Sequence, residues 1–349
     1  MKILVISDAW YPQLNGVVRT YEHLMEELQK LGHTMEVIGP RDFPMRVPTP
    51  GYPEIKLAVL PYRRLKKLIE EKNADKIHVS TEGPLGLAGR KYCLKHNIPF
   101  STSYHTQFPD YIAKRIAKFL PFLYNPVRNA AIGHMRKFHA PSSAMMVATQ
   151  SLEDTLLEWG FKNPIHRLTR GAKIDIFKPG KKTKFQDLKG PVALYVGRVA
   201  IEKSVEDFLE MEWEGSKVVV GDGPAREELE EKHPDAHFLG VKTGEDLGEH
   251  YRSADVFVFP STTDTFGMVL IEALAAGTPV AAYDVTGPKD IIDQDFLGVL
   301  DSDLGKAAKL ALNCGTSKQR AEHAREHYTW EKVARQYLDA LENKVKPTS

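Results

Sequence analysis

Two carboxylates, Asp264 and Glu272, stand eight positions apart in the stretch Phe259-Pro260-Ser261-Thr262-Thr263-Asp264-Thr265-Phe266-Gly267-Met268-Val269-Leu270-Ile271-Glu272. The apolar run ending at Phe259 has strand character, so Asp264 falls in a loop and Phe266-Gly267 opens a helix. Glu272 then lies two turns inside that helix on an otherwise apolar face, where a bare carboxylate is costly and needs a partner. That partner is either a ligand hydroxyl or a structural salt bridge. The unpaired N–H groups of the first helical turn suit a sugar or a phosphate. Upstream, Gly197-Arg198-Val199-Ala200-Ile201-Glu202-Lys203 follows another apolar run. Arg198 offers a planar fork and Lys203 a point charge, which together can hold one diphosphate. The alternative is a pair of solvated surface charges. Gly221-Asp222-Gly223-Pro224 is either a tight strand-to-helix connector or a nucleotide contact. Gly16 sits at the mouth of a helix, where backbone can approach a phosphate or simply turn. No dinucleotide GxGxxG fingerprint is present, which argues against an NAD enzyme. His105 follows a strand beside Ser103 and Thr106, as either a structural or a functional histidine.

Loops of this kind need a scaffold that ends strands and starts helices at one edge. Apolar runs of strand length alternate with amphipathic helical stretches along the chain, the pattern of parallel α/β architecture. Strands are predicted at 3–7, 35–38, 56–60, 76–79, 99–103 and 145–149, with helices such as 18–31, 62–73 and 85–96 between them. The rhythm restarts at 192–196, 217–220, 237–239, 256–259 and 280–282, after a Pro/Gly/Lys-rich stretch at 178–190 that reads as an interdomain connection. Open parallel sheets bind ligands beyond the carboxyl ends of their strands, which is where the chemistry-bearing loops fall.

A length of 349 residues suggests about two domains. Lys+Arg 47 against Asp+Glu 46 excludes a generally basic protein that coats nucleic acid. Only Cys93 and Cys314 are present, which rules out a disulfide framework and a cysteine zinc site and fits a reducing cytosol. The opening MKILVIS reads as a strand, not a signal peptide, and no window approaches the roughly 20 apolar residues of a membrane span. The expected location is therefore cytoplasmic. Charge is unevenly spread. Residues 111–152 hold no acidic residue but carry Lys114, Arg115, Lys118, Arg128, Arg136 and Lys137, whereas 201–250 hold 15 acidic and five basic residues. The basic segment also contains Phe119, Leu120, Phe122, Leu123 and Tyr124. Either Lys114, Arg115 and Lys118 dock on an anionic membrane surface, or the segment is a helical hairpin whose charges face water.

The Asp264/Glu272 spacing resembles the E-x7-E signature of retaining nucleotide-sugar glycosyltransferases of the GT-B fold, specifically glycosyltransferase family 4. The likeness continues in order through the Gly16 loop, Ser103-Tyr104-His105-Thr106, Gly197-Arg198 with Lys203, Gly221-Asp222-Gly223-Pro224, and Glu272-Ala273-Leu274-Ala275-Ala276-Gly277-Thr278-Pro279-Val280. It covers nearly the whole chain. Tyr104-His105-Thr106-Gln107-Phe108-Pro109 and Thr263-Asp264-Thr265-Phe266-Gly267 look most like the branch of sulfoquinovosyl-diacylglycerol synthases and GDP-mannose-dependent α-mannosyltransferases. The resemblance implies an α/β chain of two Rossmann-like domains facing a central cleft. An acceptor domain is expected at 1–170 and a donor domain at 171–329, with a C-terminal helix at 330–345 packing back on the first.

For the residues, the resemblance implies that Gly16 and Gly221 contact the donor through their backbone. Arg198 and Lys203 would neutralise the leaving diphosphate. Asp264 would hold sugar hydroxyls together with the N–H groups near Phe266 and Gly267, Glu272 would hold the ribose, and His105 would reach the transferred sugar. Two departures stand out: Asp264 is a methylene shorter than the family's Glu, and Ser204 replaces a common Gly. The implied reaction moves a hexosyl group, with retention, from a GDP-mannose- or UDP-glucose-type donor to a membrane lipid such as diacylglycerol or a glycolipid. The protein would sit peripherally on the inner face of the cytoplasmic membrane, without nucleic acid, metal or other cofactor. A soluble glycan or small metabolite is the alternative acceptor. A non-catalytic nucleotide-sugar-binding protein is a third reading, against which His105, Arg198, Lys203 and Glu272 argue. The triplets Asp293-Gln294-Asp295 and Asp301-Ser302-Asp303 match the metal motif of the other main glycosyltransferase fold, but lie too late in the chain for it.

Overall fold

The computed structural model describes residues 1–13, 15–49, 52–105, 108–117 and 120–343. The chain divides into two compact units, one of Met1–Thr169 together with residues from Val333 on, the other of Arg170–Lys332. The first contains β1 (Lys2–Ile6), β2 (Thr34–Ile38), β3 (Arg46–Thr49), β4 (Tyr52–Ala58), β5 (Lys76–Val79), β6 (Phe100–Tyr104), β7 (Ala144–Val147) and β8 (Ile165–Arg167). Six of these form a parallel sheet in the order β2-β1-β5-β6-β7-β8. The second unit contains β9 (Val192–Val196), β10 (Ser216–Val220), β11 (His237–Phe238), β12 (Val256–Phe259), β13 (Val280–Ala282) and β14 (Gly298–Leu300), all parallel in the order β11-β10-β9-β12-β13-β14. Both are doubly wound sheets.

The strands are short, and at the centre of the second sheet β9 and β12 are apolar and buried at every position because helices cover both faces. The helix Gly16–Lys30 presents Val18, Tyr21, Leu24 and Leu28 on one stripe to the first core. Tyr62–Lys72 buries Leu65 and Ile69, one turn apart, and ends at Asn73 in the left-handed conformation. Trp330–Leu341 buries Trp330, Val333, Ala334, Tyr337 and Ala340, again a single stripe.

Two expectations need correction. The strand expected at 56–60 is not in the parallel sheet. It falls in β4, which pairs antiparallel with β3 in a separate two-stranded ribbon, Val47 opposite Leu57. Pro50-Gly51 between the two runs was the hairpin signal. The stretch 178–190 is not an interdomain connection but part of the second unit. Thr183 and Lys184 donate their N–H groups to Ser253 Oγ, and Lys184 reaches Asp246 and Glu249 at 3.0 and 3.1 Å. These contacts tie it to the helix Gly244–Ser253.

Arg320 joins the late elements of the second unit. It is buried, and its guanidinium donates to the carbonyls of Gly277, Phe296 and Cys314. Removing it leaves those acceptors unpaired in the interior, where each costs about 1–3 kcal/mol. Arg320→Met is expected to lower the stability of the second unit by about 3 kcal/mol in urea unfolding. A change below about 1 kcal/mol would show that water replaces the guanidinium there.

Candidate active site

Strand order in the second sheet reverses between β9 and β12, the kind of switch point beyond whose carboxyl strand ends open α/β sheets bind ligands. The loops after both strands carry the predicted residues. After β9, Tyr195 donates its hydroxyl to the Arg198 carbonyl at 2.8 Å, fixing the turn from which Arg198 projects. The Arg198 side chain is about half exposed and lies 3.6 Å from Glu202, a weak surface pair. Lys203 closes a short 3-10 turn, Ile201–Lys203, and crosses to the loop after β12, where its Nζ donates to Asp264 Oδ1 at 2.6 Å. Thr263 Oγ1 donates to the Glu202 carbonyl at 3.1 Å and ties the same two loops a second time. Asp264 Oδ2 is buried and has no hydrogen-bond partner among the described residues. The pair therefore sets a cation beside an acceptor oxygen that is out of contact with solvent and unclaimed by the described residues.

Ser204 adopts φ 49° and ψ 40°, the left-handed region in which glycine is unstrained. The departure from the family's glycine thus falls at a position whose backbone favours one. Gly221 has a packing reason to be glycine: a Cβ there would lie 1.8 Å from the Gly197 carbonyl oxygen. The Gly221-Asp222-Gly223 turn is thus pressed against the loop that carries Arg198. Gly267, at φ 87°, starts the helix Met268–Ala276 without a side-chain cap, and Phe266 beside it is buried edge-on against Tyr328. The first-turn N–H groups of that helix are not claimed by a capping side chain.

Among the described residues Glu272 makes no salt bridge. Its Oε2 accepts from the hydroxyl of the fully buried Tyr251 at 2.9 Å, and burial pushes its carboxyl up to about 7, with the Tyr251 bond pulling the other way. Tyr251 and Tyr195 both support site residues and were missed from sequence, since tyrosines in apolar or helical runs look like core.

In the first unit, Asn15 caps the helix Gly16–Lys30, its Oδ1 accepting from Val17 and Val18 N–H at 3.0 and 3.1 Å. Two of the amides a phosphate would use are thereby engaged, while the Cβ position of Gly16 opens on empty space. Asp8, at the end of β1, is buried and accepts from the N–H groups of Leu85 and Gly86 and from the Thr81 hydroxyl. Burial raises its carboxyl above the ordinary range despite these bonds. His105 directly follows β6, and its Nε2 lies 3.4 Å from the Tyr21 hydroxyl. Lys114 and Arg115 lie on the helix Phe108–Ala117, but their side chains, and Lys118 altogether, fall outside the described residues. Of the D-x-D triplets, Asp301 pairs with Lys306 at 2.6 Å and Asp303 caps the helix Leu304–Ala311. Glu206, Glu210 and His233 bring ligand atoms within 4.8 Å of one another, with Lys232 paired to both glutamates. No described helix is long and apolar enough to cross a membrane.

Two doubly wound sheets in series are the architecture of the GT-B fold. Sucrose-phosphate synthase from Thermosynechococcus elongatus has the same fold, with a TM-score of 0.75 over 98% of both chains at 19% identity. Anabaena HepE in complex with UDP gives 0.70 over 98% of this chain and all of HepE, at 14% identity. The model for Glycosyltransferase Family 4 matches residues 14–175 and that for Glycosyl transferases group 1 matches 190–313. The chain belongs to the family 4 glycosyltransferases. A GDP-mannose-dependent alpha-mannosyltransferase of Mycobacterium tuberculosis is 28% identical over 86% of this chain and 83% of its own. An alpha-monoglucosyldiacylglycerol synthase of Streptococcus pneumoniae is 26% identical over 86% and 75%.

Glu272 makes the second unit sensitive to pH. A carboxyl whose folded value exceeds its unfolded one stabilises the protonated native state, so stability is highest below about 4.5 and is lost as pH rises through about 7. Glu272→Gln is expected to flatten this component, on the order of 2 kcal/mol between pH 5 and pH 8 in the unfolding of the second unit. An unchanged pH profile would show that Glu272 ionises as an ordinary carboxyl.

Proposed function

We propose that the enzyme transfers a hexosyl group, with retention, from a nucleotide-diphosphate sugar to a membrane lipid or glycolipid acceptor. The observation that carries this reading is the Lys203–Asp264 pair with its unused Oδ2. A phosphate needs the cation and a sugar hydroxyl needs the acceptor oxygen, so a glycosyl diphosphate engages both at once. Arg198 adds a second cation at the same switch point, and its weak tie to Glu202 leaves it available to a diphosphate. Glu272 binds the ribose hydroxyls, and the N–H groups beginning the helix Met268–Ala276 meet the sugar or phosphate. In the reaction the anomeric C–O bond to the diphosphate breaks as the acceptor oxygen bonds the same carbon from the same face. The acceptor proton passes to the departing diphosphate. No protein nucleophile is required, and the chemistry rests on positioning and on charge stabilisation of the leaving group by Arg198 and Lys203, without a metal. His105 acts on the transferred sugar, and Gly16 and Gly221 serve the donor through their backbone.

A lipid acceptor is supported by relatives whose names specify it, the alpha-monoglucosyldiacylglycerol synthases of Streptococcus pneumoniae and Acholeplasma laidlawii. It is also supported by the surface next to the basic segment, where Ile116, Leu120 and Phe122 are exposed, Phe122 by 74%. Exposed apolar groups beside Lys114, Arg115 and Lys118 suit peripheral binding to the anionic inner face of the cytoplasmic membrane. Arg128 is not part of this surface, since it is held by Asp110 at 2.6 Å.

Two measurements test these assignments. Arg198→Ala and Lys203→Ala are each expected to lower kcat by about 10²-fold or more in hexose transfer from labelled nucleotide sugars to lipid extract. Losses below about threefold in both would place the diphosphate elsewhere. The protein is expected to co-sediment with anionic but not zwitterionic vesicles, less so in high salt. Each basic side chain contributes about 1 kcal/mol there, so replacing Lys114, Arg115 and Lys118 by Ser should weaken binding by about 10²-fold. Efficient transfer to a soluble glycan with no vesicle binding would replace the lipid assignment.

A further inference from the structure

Behind His105 the first unit holds a polar cluster inside its core that the reading above does not use. Tyr21, His78, Ser101 and Ser103 are all buried, and they come from the helix Gly16–Lys30, from β5 and from β6. The Tyr21 hydroxyl lies 2.8 Å from His78 Nε2, 3.4 Å from Ser103 Oγ and 3.4 Å from His105 Nε2. Ser103 Oγ lies 3.0 Å from His78 Nε2, and Ser101 Oγ lies 2.8 Å from His78 Nδ1. Buried polar groups linked in this way are costly unless every member is paired, and when paired they fix one arrangement.

One arrangement of protons links this cluster to His105. His78 is wholly buried, and desolvation pulls its pKa down to about 3, so it is a neutral imidazole with a single N–H. With that proton on Nε2, His78 donates to the Tyr21 oxygen, and Ser101 donates to Nδ1. The Tyr21 proton is then directed to His105 Nε2.

We propose that Tyr21 and His78 are positioning residues that hold His105 by its Nε2 in the Nδ1–H tautomer and so set the orientation of its ring. This rests on the reading of His105 as a residue that acts on the transferred sugar. The 3.4 Å separation is long for a hydrogen bond, and such contacts commonly tighten when substrate binds. Tyr337 closes the cluster from the helix Trp330–Leu341 with its ring, edge-on to His78 at 5.4 Å and to Tyr21 at 6.5 Å, while its hydroxyl is buried without a partner among the described residues.

Tyr21→Phe removes the donor and keeps the ring, and Ser103 still reaches His78. The expected result is a kcat about tenfold lower with donor KM within about twofold, because orientation is lost and donor binding is not. The imidazole nitrogen shifts of His105 in ¹⁵N-labelled protein should show one tautomer in the wild type and a mixture in Tyr21→Phe. Tyr337→Phe, which removes an unpaired hydroxyl, should leave both readouts unchanged. A single unchanged tautomer in Tyr21→Phe overturns the proposal, as does an unchanged kcat in a variant whose parent depends on His105. His105→Ala with full activity would instead remove the role assigned to His105, while the nitrogen shifts still report whether Tyr21 holds it. Should Tyr21→Phe fail to fold, His78→Gln gives the same comparison, with the same two outcomes read in kcat and in the His105 nitrogen shifts.

Discussion

Reversal of strand order is the constraint on which both units depend. Where two neighbouring parallel strands send their connections to opposite faces, the loops at their carboxyl ends cannot pack over one another. In the second sheet this happens between β9 and β12, and Lys203 reaches from one loop to Asp264 on the other. In the first it happens between β1 and β5, and there Asp8 reaches to Thr81, Leu85 and Gly86. The two carboxylates stand on opposite sides of their switch points, Asp8 after β1 and Asp264 after β12, and have different commitments. Asp8 spends both oxygens on protein donors and holds the sheet edge together. Asp264 spends one, and the other has no partner among the described residues. The same geometric opening thus serves as a brace in one unit and, as we propose, as the donor site in the other.

The loops of the second unit are held by backbone more than by side chains. Gly221 lies so close to Gly197 that no other residue fits, and Tyr195 anchors the Arg198 carbonyl from below. Such packing leaves the half-exposed Arg198 head as the adjustable part on a fixed turn, while Lys203 is held by Asp264. Ser204 works against this economy, because its left-handed backbone costs an L-residue about 1–2 kcal/mol. Nothing in the structure compensates for it.

The alternation of apolar runs and helical stretches made the two doubly wound sheets legible, since strands buried on both faces must be apolar throughout. The predicted runs at 76–79, 192–196, 256–259 and 280–282 coincide with β5, β9, β12 and β13. What an apolar run cannot state is its partner, which is why β4 was placed in the wrong sheet. Very short strands such as β8 and β14 carry too few residues to show a pattern. In the site, charged residues after strands were visible because such residues are out of place in a core. Tyr251, Tyr195 and His78 were not, because each sits in a helix or strand whose pattern already explains it. Only the three-dimensional contact shows that Tyr251 meets Glu272 and that His78 lies next in line behind His105.

The division of the chain also sets an order in time. Tyr337 covers the Tyr21–His78 cluster, yet it is made after the whole of the second unit. On the ribosome the first unit can assemble its sheet as soon as β8 has emerged, but its polar centre stays uncovered until the intervening unit has been synthesised. Domains that fold in sequence usually finish one before starting the next. Here a helix translated after the second unit completes the first, so a ribosome that stalls within the second unit releases a first unit lacking that cover.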